Sequence, residues 1–288
     1  MSELKVGLVG LGAMGAHMAR RIHAGGLLRA VHNRSSEKAQ ALALELGVEH
    51  AGSPEALARD CNVILTCVTA DADVIALCEG FARSAQPGLV VIDCSTIAST
   101  SAIRAAAILA SAGGEMLDAP VSGGVEGARL GTLSVMAGGN AETLARVMPV
   151  LECISARVTL MGPVGAGQNT KAVNQVLVAG IAQAVCEGLA LGEALGLPAD
   201  KLLPTLAAGA AGNWFLDKRG ATMLRSEFAP GFKLGLLHKD LKIVRQLALN
   251  AGTGHGVIDQ SLDDYGKLMA QGLADEDTSA LIRLKRPQ

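Results

Sequence analysis

Lys171 and Asn174 stand one helical turn apart behind a pair of glycines, in the segment Gly165-Ala-Gly167-Gln-Asn-Thr-Lys171-Ala-Val-Asn174-Gln. At i and i+3 of a helix the amine and the amide share one face. The glycines let the backbone turn freely just ahead of it. A helix N-terminus carries partial positive charge, which disfavours an ammonium and draws a lysine pKa downward. An amine poised in that way exchanges protons near neutral pH, which is the work of a general acid or base. A surface lysine near a helix start would be spelled the same way, so the rest of the chain has to decide.

A second constellation opens the chain. Gly10-Leu-Gly12-Ala13-Met14-Gly15 follows an apolar run and precedes a helical pattern. In a strand–turn–helix unit the first glycine makes the turn, the second lets the backbone approach a pyrophosphate, and the third packs helix on strand. The helix N-terminus then faces the phosphates. The end of the next strand usually carries an acid for the ribose 2′-hydroxyl. Here it reads His32-Asn33-Arg34-Ser35-Ser36, with no carboxylate before Glu37. A guanidinium can clamp a 2′-phosphate that a carboxylate would repel. The segment therefore favours NADP and leaves NAD possible, with Arg34 stacking on the adenine as the other reading.

Two further loops close strands, Asp93-Cys-Ser95-Thr96 and Asp118-Ala-Pro120-Val-Ser122-Gly123-Gly124. Ligands of doubly wound sheets bind beyond the carboxyl ends of the strands, so Thr96 and Ser122 offer hydroxyls at that rim. Ser122, Gly123 and Gly124 also expose successive N–H groups suited to an anion such as a carboxylate. A Ser-Gly-Gly tripeptide is also a common flexible turn.

The elements that must carry these residues fall into two classes. Strands are expected at Lys5–Val9, Leu28–His32, Val63–Val68, Leu89–Asp93, Glu115–Ala119 and Thr132–Ala137, from aliphatic runs separated by helical patterns. The intervening helices fit Gly12–Ala24, Ser36–Leu46, Ser53–Arg59, Asp71–Leu77 and Ser99–Ser111, with Ser53 and Ser99 as N-caps. Beyond Gly167 the pattern is helical, with segments Lys171–Leu195, Ala199–Ala208, Trp214–Leu224, Lys233–Ala251, His255–Met269 and a tail from Ser279. The expected fold class is α/β: a Rossmann-type doubly wound parallel sheet over residues 1–163, then an all-α domain over 164–288 that begins with a long interdomain helix. The helical domain has no nucleotide site of its own by this route; closing a cleft and oligomerisation are its expected tasks. Lys239-Asp240 falls within it; an adjacent acid and base usually mark a solvated helix face, but the flanking Phe228, Phe232, Leu234, Leu236 and Leu237 argue for a partly buried setting. Trp214 and Phe215, two of only six aromatics, could line a pocket, with packing the default for either.

Composition limits the partners. The 288 residues include 50% hydrophobic and 18% charged, with a formal net charge of −2. That balance, without a sustained basic run, argues against nucleic acid. The six cysteines form no CxxC pair and no metal-ligand spacing with the six histidines. Reduced thiols in the cytoplasm are the simple account, with no metal expected. The stretch Ala172–Leu195 is long enough to span a bilayer, but Asn174, Gln175, Gln183, Glu187 and Glu193 interrupt it; a buried helix and no membrane are expected.

Taken in order, Gly7 to Gly15, Asp93 to Thr96, Asp118 to Gly124, Gly165 to Gln175 and Lys239-Asp240 resemble the β-hydroxyacid dehydrogenase family over essentially the whole chain. The resemblance implies that Lys171 is the catalytic acid/base and that Asn174 assists the substrate. It implies that Ser122, Gly123 and Gly124 receive the substrate carboxylate. The cofactor would be held by Gly10, Gly12, Ala13, Met14, Gly15, Asn33, Arg34, Ser35, Val68, Thr96 and Lys239. The run Gly131 to Met136 with Gly138-Gly139 looks like the tartronate semialdehyde reductase branch, and Asn33-Arg34 like members that use NADPH. Two departures stand out. Val68-Thr69 replaces the Leu-Pro of many relatives. Lys171-Ala-Val-Asn174-Gln175 also differs from the Lys-x-x-His-Asn of 6-phosphogluconate enzymes, and imine reductases usually lack the lysine.

The expected activity is hydride transfer between NADP(H) and a small β-hydroxy acid or its semialdehyde, of the 3-hydroxyisobutyrate or tartronate semialdehyde/glycerate type. The alternatives are a succinic or glyoxylic semialdehyde reductase, or a non-catalytic NADP-binding sensor. A homodimer or homotetramer is expected.

Overall fold

The computed structural model describes residues 3–287. Two compact units divide within the long helix, the first ending at Lys171 and the second beginning at Ala172.

The first unit alternates strand and helix: β1 (Val6–Val9), α1 (Gly15–Ala24), β2 (Leu28–His32), α2 (Ser36–Leu46), β3 (Glu49–His50), α3 (Pro54–Asp60), β4 (Val63–Thr66), α4 (Asp71–Ala82) and β5 (Val90–Asp93). It continues with α5 (Ser99–Ser111), β6 (Glu115–Asp118), β7 (Val121–Ser122), α6 (Gly124–Leu130), β8 (Leu133–Gly138), α7 (Ala141–Ile154) and β9 (Ser155–Gly162). The long α8 (Ala166–Ala194) then begins. The sheet runs β3-β2-β1-β4-β5-β6-β8-β7, with β9 also paired to β8. The pairs from β3 to β6 are parallel, β8 is antiparallel to β6 and β7, and β9 is parallel to β8.

Strand side chains alternate between two cores. Val6, Leu8, Val63, Leu65, Val90 and Ile92 meet Met18, Ile22, Leu42 and Val147 on one face. Val9, Ile64 and Val91 meet Leu57, Val74, Phe81 and Leu109 on the other. Burial on both faces is why these strands read as continuous apolar runs instead of alternating ones.

The remaining helices are α9 (Ala199–Ala207), α10 (Trp214–Leu224), α11 (Leu234–Ala251) and α12 (Gly256–Ala270), followed by a 3₁₀ helix over Thr278–Leu284. The second unit's core gathers Ala182, Cys186 and Leu189 of α8 with Phe215, Leu237, Leu241 and Tyr265. Trp214 is exposed, with the Arg219 guanidinium 5.5 Å over its ring.

Some expectations need correction. Ser53 caps α3, accepting from the Ala56 N–H, but Ala98, not Ser99, occupies the N-cap of α5. The Ala98 N–H instead donates to the Asp71 carboxylate, so a side chain from α4 does the stabilising there. α8 starts at Ala166, which puts Lys171 in its second turn. β3, β7, β9, α6 and α7 carried no expectation at all.

Candidate active site

The glycine loop after β1 has the geometry its spacing suggested. Gly10 has φ +92°, and a Cβ there would lie 2.2 Å from the Cys67 carbonyl oxygen. A Cβ on Gly15 would lie 1.8 Å from the Gly10 oxygen, so α1 sits on its own loop. Gly12 meets nothing within 4 Å: its missing side chain leaves open space at the helix N-terminus. Backbone packing explains the first and third glycines, and the open space beside the second leaves room for a ligand to approach. The residues present therefore fit a dinucleotide. Ala13 is exposed and Met14 caps α1 without a side-chain bond.

Asn33, just past β2, is bonded to backbone on both sides. Its Oδ1 accepts the Leu11 N–H at 2.9 Å and its Nδ2 donates to the Ser35 carbonyl at 3.1 Å, tying the end of β2 to the glycine loop. Arg34 extends into solvent, 94% exposed, with its guanidinium 3.8 Å from Asp73. Ser35 is the N-cap of α2.

The rim of the sheet is knitted to the first turn of α8. Asp118, at the end of β6, accepts the Gly165 N–H on Oδ1 and the Gln168 N–H on Oδ2, both at 2.8 Å. Its carboxylate thus satisfies N–H groups that a helix start leaves open. Burial pushes the Asp118 pKa up, against the pull of these two hydrogen bonds. The approach is close because of two glycines: a Cβ on Gly167 would lie 2.4 Å from the Asp118 carbonyl oxygen, and one on Gly138 2.4 Å from Asp118 Oδ1. Gly138 thus has a packing cause.

The Gln168 carboxamide donates to the Ser95 carbonyl at 2.8 Å and accepts the Ile97 N–H at 3.2 Å, bracketing the half-buried Thr96. Ser95 Oγ accepts the Val68 N–H at 2.9 Å. Lys171 is 7% exposed, and its Nζ donates to the Val121 carbonyl at 2.9 Å, one residue before Ser122. Gly123 and Gly124 have φ +126° and +63°, a backbone course open to glycine and costly to other residues. The structure so brings Lys171, Ser122, Gly123 and Gly124 to one rim of the first unit.

In the second unit, Asn174 heads a polar chain. Its Nδ2 donates to Gln175 Oε1 at 2.8 Å, Gln175 Nε2 donates to Asp240 Oδ2 at 2.7 Å, and Asp240 Oδ1 pairs with Lys239 at 2.9 Å. Gln175 and Asp240 are 1% and 3% exposed. Lys239-Asp240 is therefore a buried carboxylate with a partly buried ammonium, the setting that the flanking apolar residues implied. Sequence reasoning assigned nothing to Asp118, Gln168 or Gln175. Their partners lie far away in sequence, and the only trace was their place inside the two glycine-bearing motifs.

Comparison with known proteins covers the whole chain. The NAD binding domain of 6-phosphogluconate dehydrogenase matches residues 5–162. The NAD-binding domain of NADP-dependent 3-hydroxyisobutyrate dehydrogenase matches residues 165–285. An uncharacterised oxidoreductase of Synechocystis sp. is 37% identical, across 99% of both chains. The NAD-dependent L-serine dehydrogenase of Pseudomonas aeruginosa is 33% identical across 98% of both. Among solved structures, Mycobacterium tuberculosis 3-hydroxyisobutyrate dehydrogenase with L-serine superposes with a TM-score of 0.88 at 32% identity, covering 99% of this chain and 100% of that one.

Proposed function

The chain belongs to the β-hydroxyacid dehydrogenase family, and on that premise we propose that it moves a hydride between NADP(H) and a small β-hydroxy acid or its semialdehyde, with Lys171 as general acid and base. Family membership establishes the coarser part: an oxidoreductase of CH–OH groups with a nicotinamide cofactor. The observation that carries the finer part is the buried Lys171 amine, bonded to the carbonyl that immediately precedes Ser122.

When bound, the nicotinamide donates or accepts the hydride. The protein's residues handle the proton and the charge. Ser122, Gly123 and Gly124 hold the substrate carboxylate through hydroxyl and N–H groups. In the reducing direction Lys171, as the ammonium, hydrogen-bonds the carbonyl oxygen, stabilises the developing alkoxide and gives it the proton. In the oxidising direction the neutral amine takes the hydroxyl proton. Asn174, on the same face of α8, steadies that oxygen or a neighbouring hydroxyl. Lys239 is assigned to the cofactor. Substrates in this class include 3-hydroxyisobutyrate, glycerate and serine, the last supported by the L-serine dehydrogenase relative and the structure that carries L-serine.

Arg34, exposed at the end of a strand with no carboxylate before Glu37, supports NADP over NAD. The NAD-dependent relative makes the comparison worth measuring directly. A cytoplasmic homodimer or homotetramer completes the proposal.

The test is coenzyme turnover by purified protein with NADPH and NADH in parallel, against methylmalonate, tartronate, succinate and glyoxylate semialdehyde-type substrates, and with serine in the oxidising direction. Lys171→Ala should lower kcat by about 10²–10⁴-fold, the usual weight of general acid–base catalysis, and leave coenzyme binding nearly unchanged. Near wild-type turnover by that variant would remove Lys171 from the chemistry. Tight coenzyme binding with no turnover on any substrate would instead favour the sensor.

A further inference from the structure

The proposed reaction gives no work to Gln168, a buried polar side chain in the first turn of α8 that makes two hydrogen bonds. It is 2% exposed, and its backbone N–H and its carboxamide bind two different strand-end loops. The carboxamide acts as a strand neighbour would, taking the C=O before Thr96 and the N–H after it. An amide does this because it carries donor and acceptor in one plane; a carboxylate lacks the donor and a hydrocarbon lacks both. Ser95 extends the tie, since its Oγ holds the Val68 N–H and its own N–H donates to Asp93 at 3.2 Å. The backbone around Thr96 is thus fixed against the helix that presents Lys171 three residues further on.

We propose that Gln168 is a positioning residue: by clamping the Thr96 loop to α8 it sets the distance between the nicotinamide ring and the Lys171 amine. This rests on the reading of Lys171 and Thr96 given above. Displacement of a reacting group by about 1 Å can cost 10²-fold in rate, so the clamp belongs to kcat more than to coenzyme affinity, which the glycine loop carries.

Two variants of similar length separate positioning from mere filling. Gln168→Met keeps the volume and removes both bonds. Gln168→Glu keeps the acceptor, and regains the donor only when its carboxyl is protonated. That carboxyl would share the rim with Asp93, Asp118 and the Lys171 ammonium. In the coenzyme-free protein, Gln168→Met should exchange the Ile97 amide hydrogen at least about tenfold faster than wild type, as expected of an N–H that has lost its buried acceptor. Its kcat should fall about 10–100-fold with the NADPH Kd within about threefold. Gln168→Glu should match it at pH 8 and recover relative to wild type as pH falls, because the protonated acid donates to the Ser95 carbonyl again. Wild-type kcat and pH profile in both variants would overturn the proposal.

Emission of bound NADPH distinguishes its failure from failure of the functional reading. If the wild type turns nothing over, yet Gln168→Met alone frees the nicotinamide emission toward that of the unbound coenzyme, the clamp stands and the activity does not. Unchanged emission and unchanged Ile97 exchange would overturn the clamp itself.

Discussion

Gly12 and Gly15 separate what the glycine loop does for the fold from what it does for a ligand. At Gly15 a methyl group would collide with the Gly10 carbonyl oxygen at 1.8 Å, and backbone cannot give way as a flexible side chain does. At Gly12 the same methyl group meets nothing within 4 Å. Gly15→Ala should therefore lower the melting temperature and weaken NADPH binding together, by the several kilocalories typical of overpacking, about 1–3 kcal/mol. Gly12→Ala should melt like the wild type or slightly higher, since it removes backbone freedom from the unfolded chain, while its NADPH Kd rises at least about tenfold through crowding of the phosphate approach. Equal losses of stability in the two variants, read by calorimetry beside a fluorescence titration, would contradict this division. Asn33 gives the same lesson from a polar residue. Beside the cofactor contact that its position after β2 suggests, its amide holds the Leu11 N–H of the loop.

Elements were legible where one physical pattern dominated. Val63–Thr66 and Val90–Asp93 are apolar because helices cover both faces, and α2, α5 and α10 kept the bounds that their periodicity implied. β9 escaped notice because it is largely exposed, and α7 because Pro149 sits inside its pattern. The rim contacts escaped for another reason: Asp118 to Gly165 and Gln168 to Ser95 join strand ends to a helix start, and no local spacing encodes such pairs. Buried polar ties also hold elements in the second unit. Asp264 of α12 accepts from Gln183 of α8 at 3.2 Å, from Gln260 at 3.0 Å and from Lys285 at 2.9 Å. Burial alone would raise its pKa; these hydrogen bonds and the Lys285 charge win and hold it at about 2. A carboxyl with a lowered folded pKa stabilises above its unfolded value and loses that contribution as pH falls through the folded one. The window here runs from about 4 down to about 2, and the shift from the ordinary value corresponds to about 2 kcal/mol. Urea unfolding at pH 6 and pH 2.5 should show the wild type losing most of that amount beyond what Asp264→Asn loses. Parallel losses in both proteins would mean that Asp264 does not feel its partners.

At the scale of the whole chain, a composition that is half hydrophobic leaves a row of apolar side chains exposed along α8. Val173, Leu177, Leu191 and Leu195 are 62%, 61%, 60% and 66% exposed, on or just past α8, with Ile181 exposed between them. By length and composition α8 could cross a membrane. Its opposite face is committed to protein, however, with Ala179, Ala182, Cys186 and Leu189 fully buried in the second unit's core. A lipid-spanning helix would not divide that way, whereas a helix with one face in its own core and one free apolar face suits a second copy of the chain. The spacing gives the geometry. Leu177 and Leu191 lie seven residues to either side of Ala184, and Val173 and Leu195 eleven, so an antiparallel pair of α8 helices would set unlike ends against each other about a two-fold axis at Ala184. Such isologous contacts close on themselves. Ala184 and Gly188, small and exposed, would let the backbones approach near that axis. Light scattering on the eluting protein at micromolar concentration should give a dimer or tetramer. Leu177→Glu combined with Leu191→Glu should reduce the mass to the monomer or to half, with the far-ultraviolet dichroism retained. A wild type that is monomeric at that concentration, or that sediments with lipid vesicles through this face, would overturn the pairing.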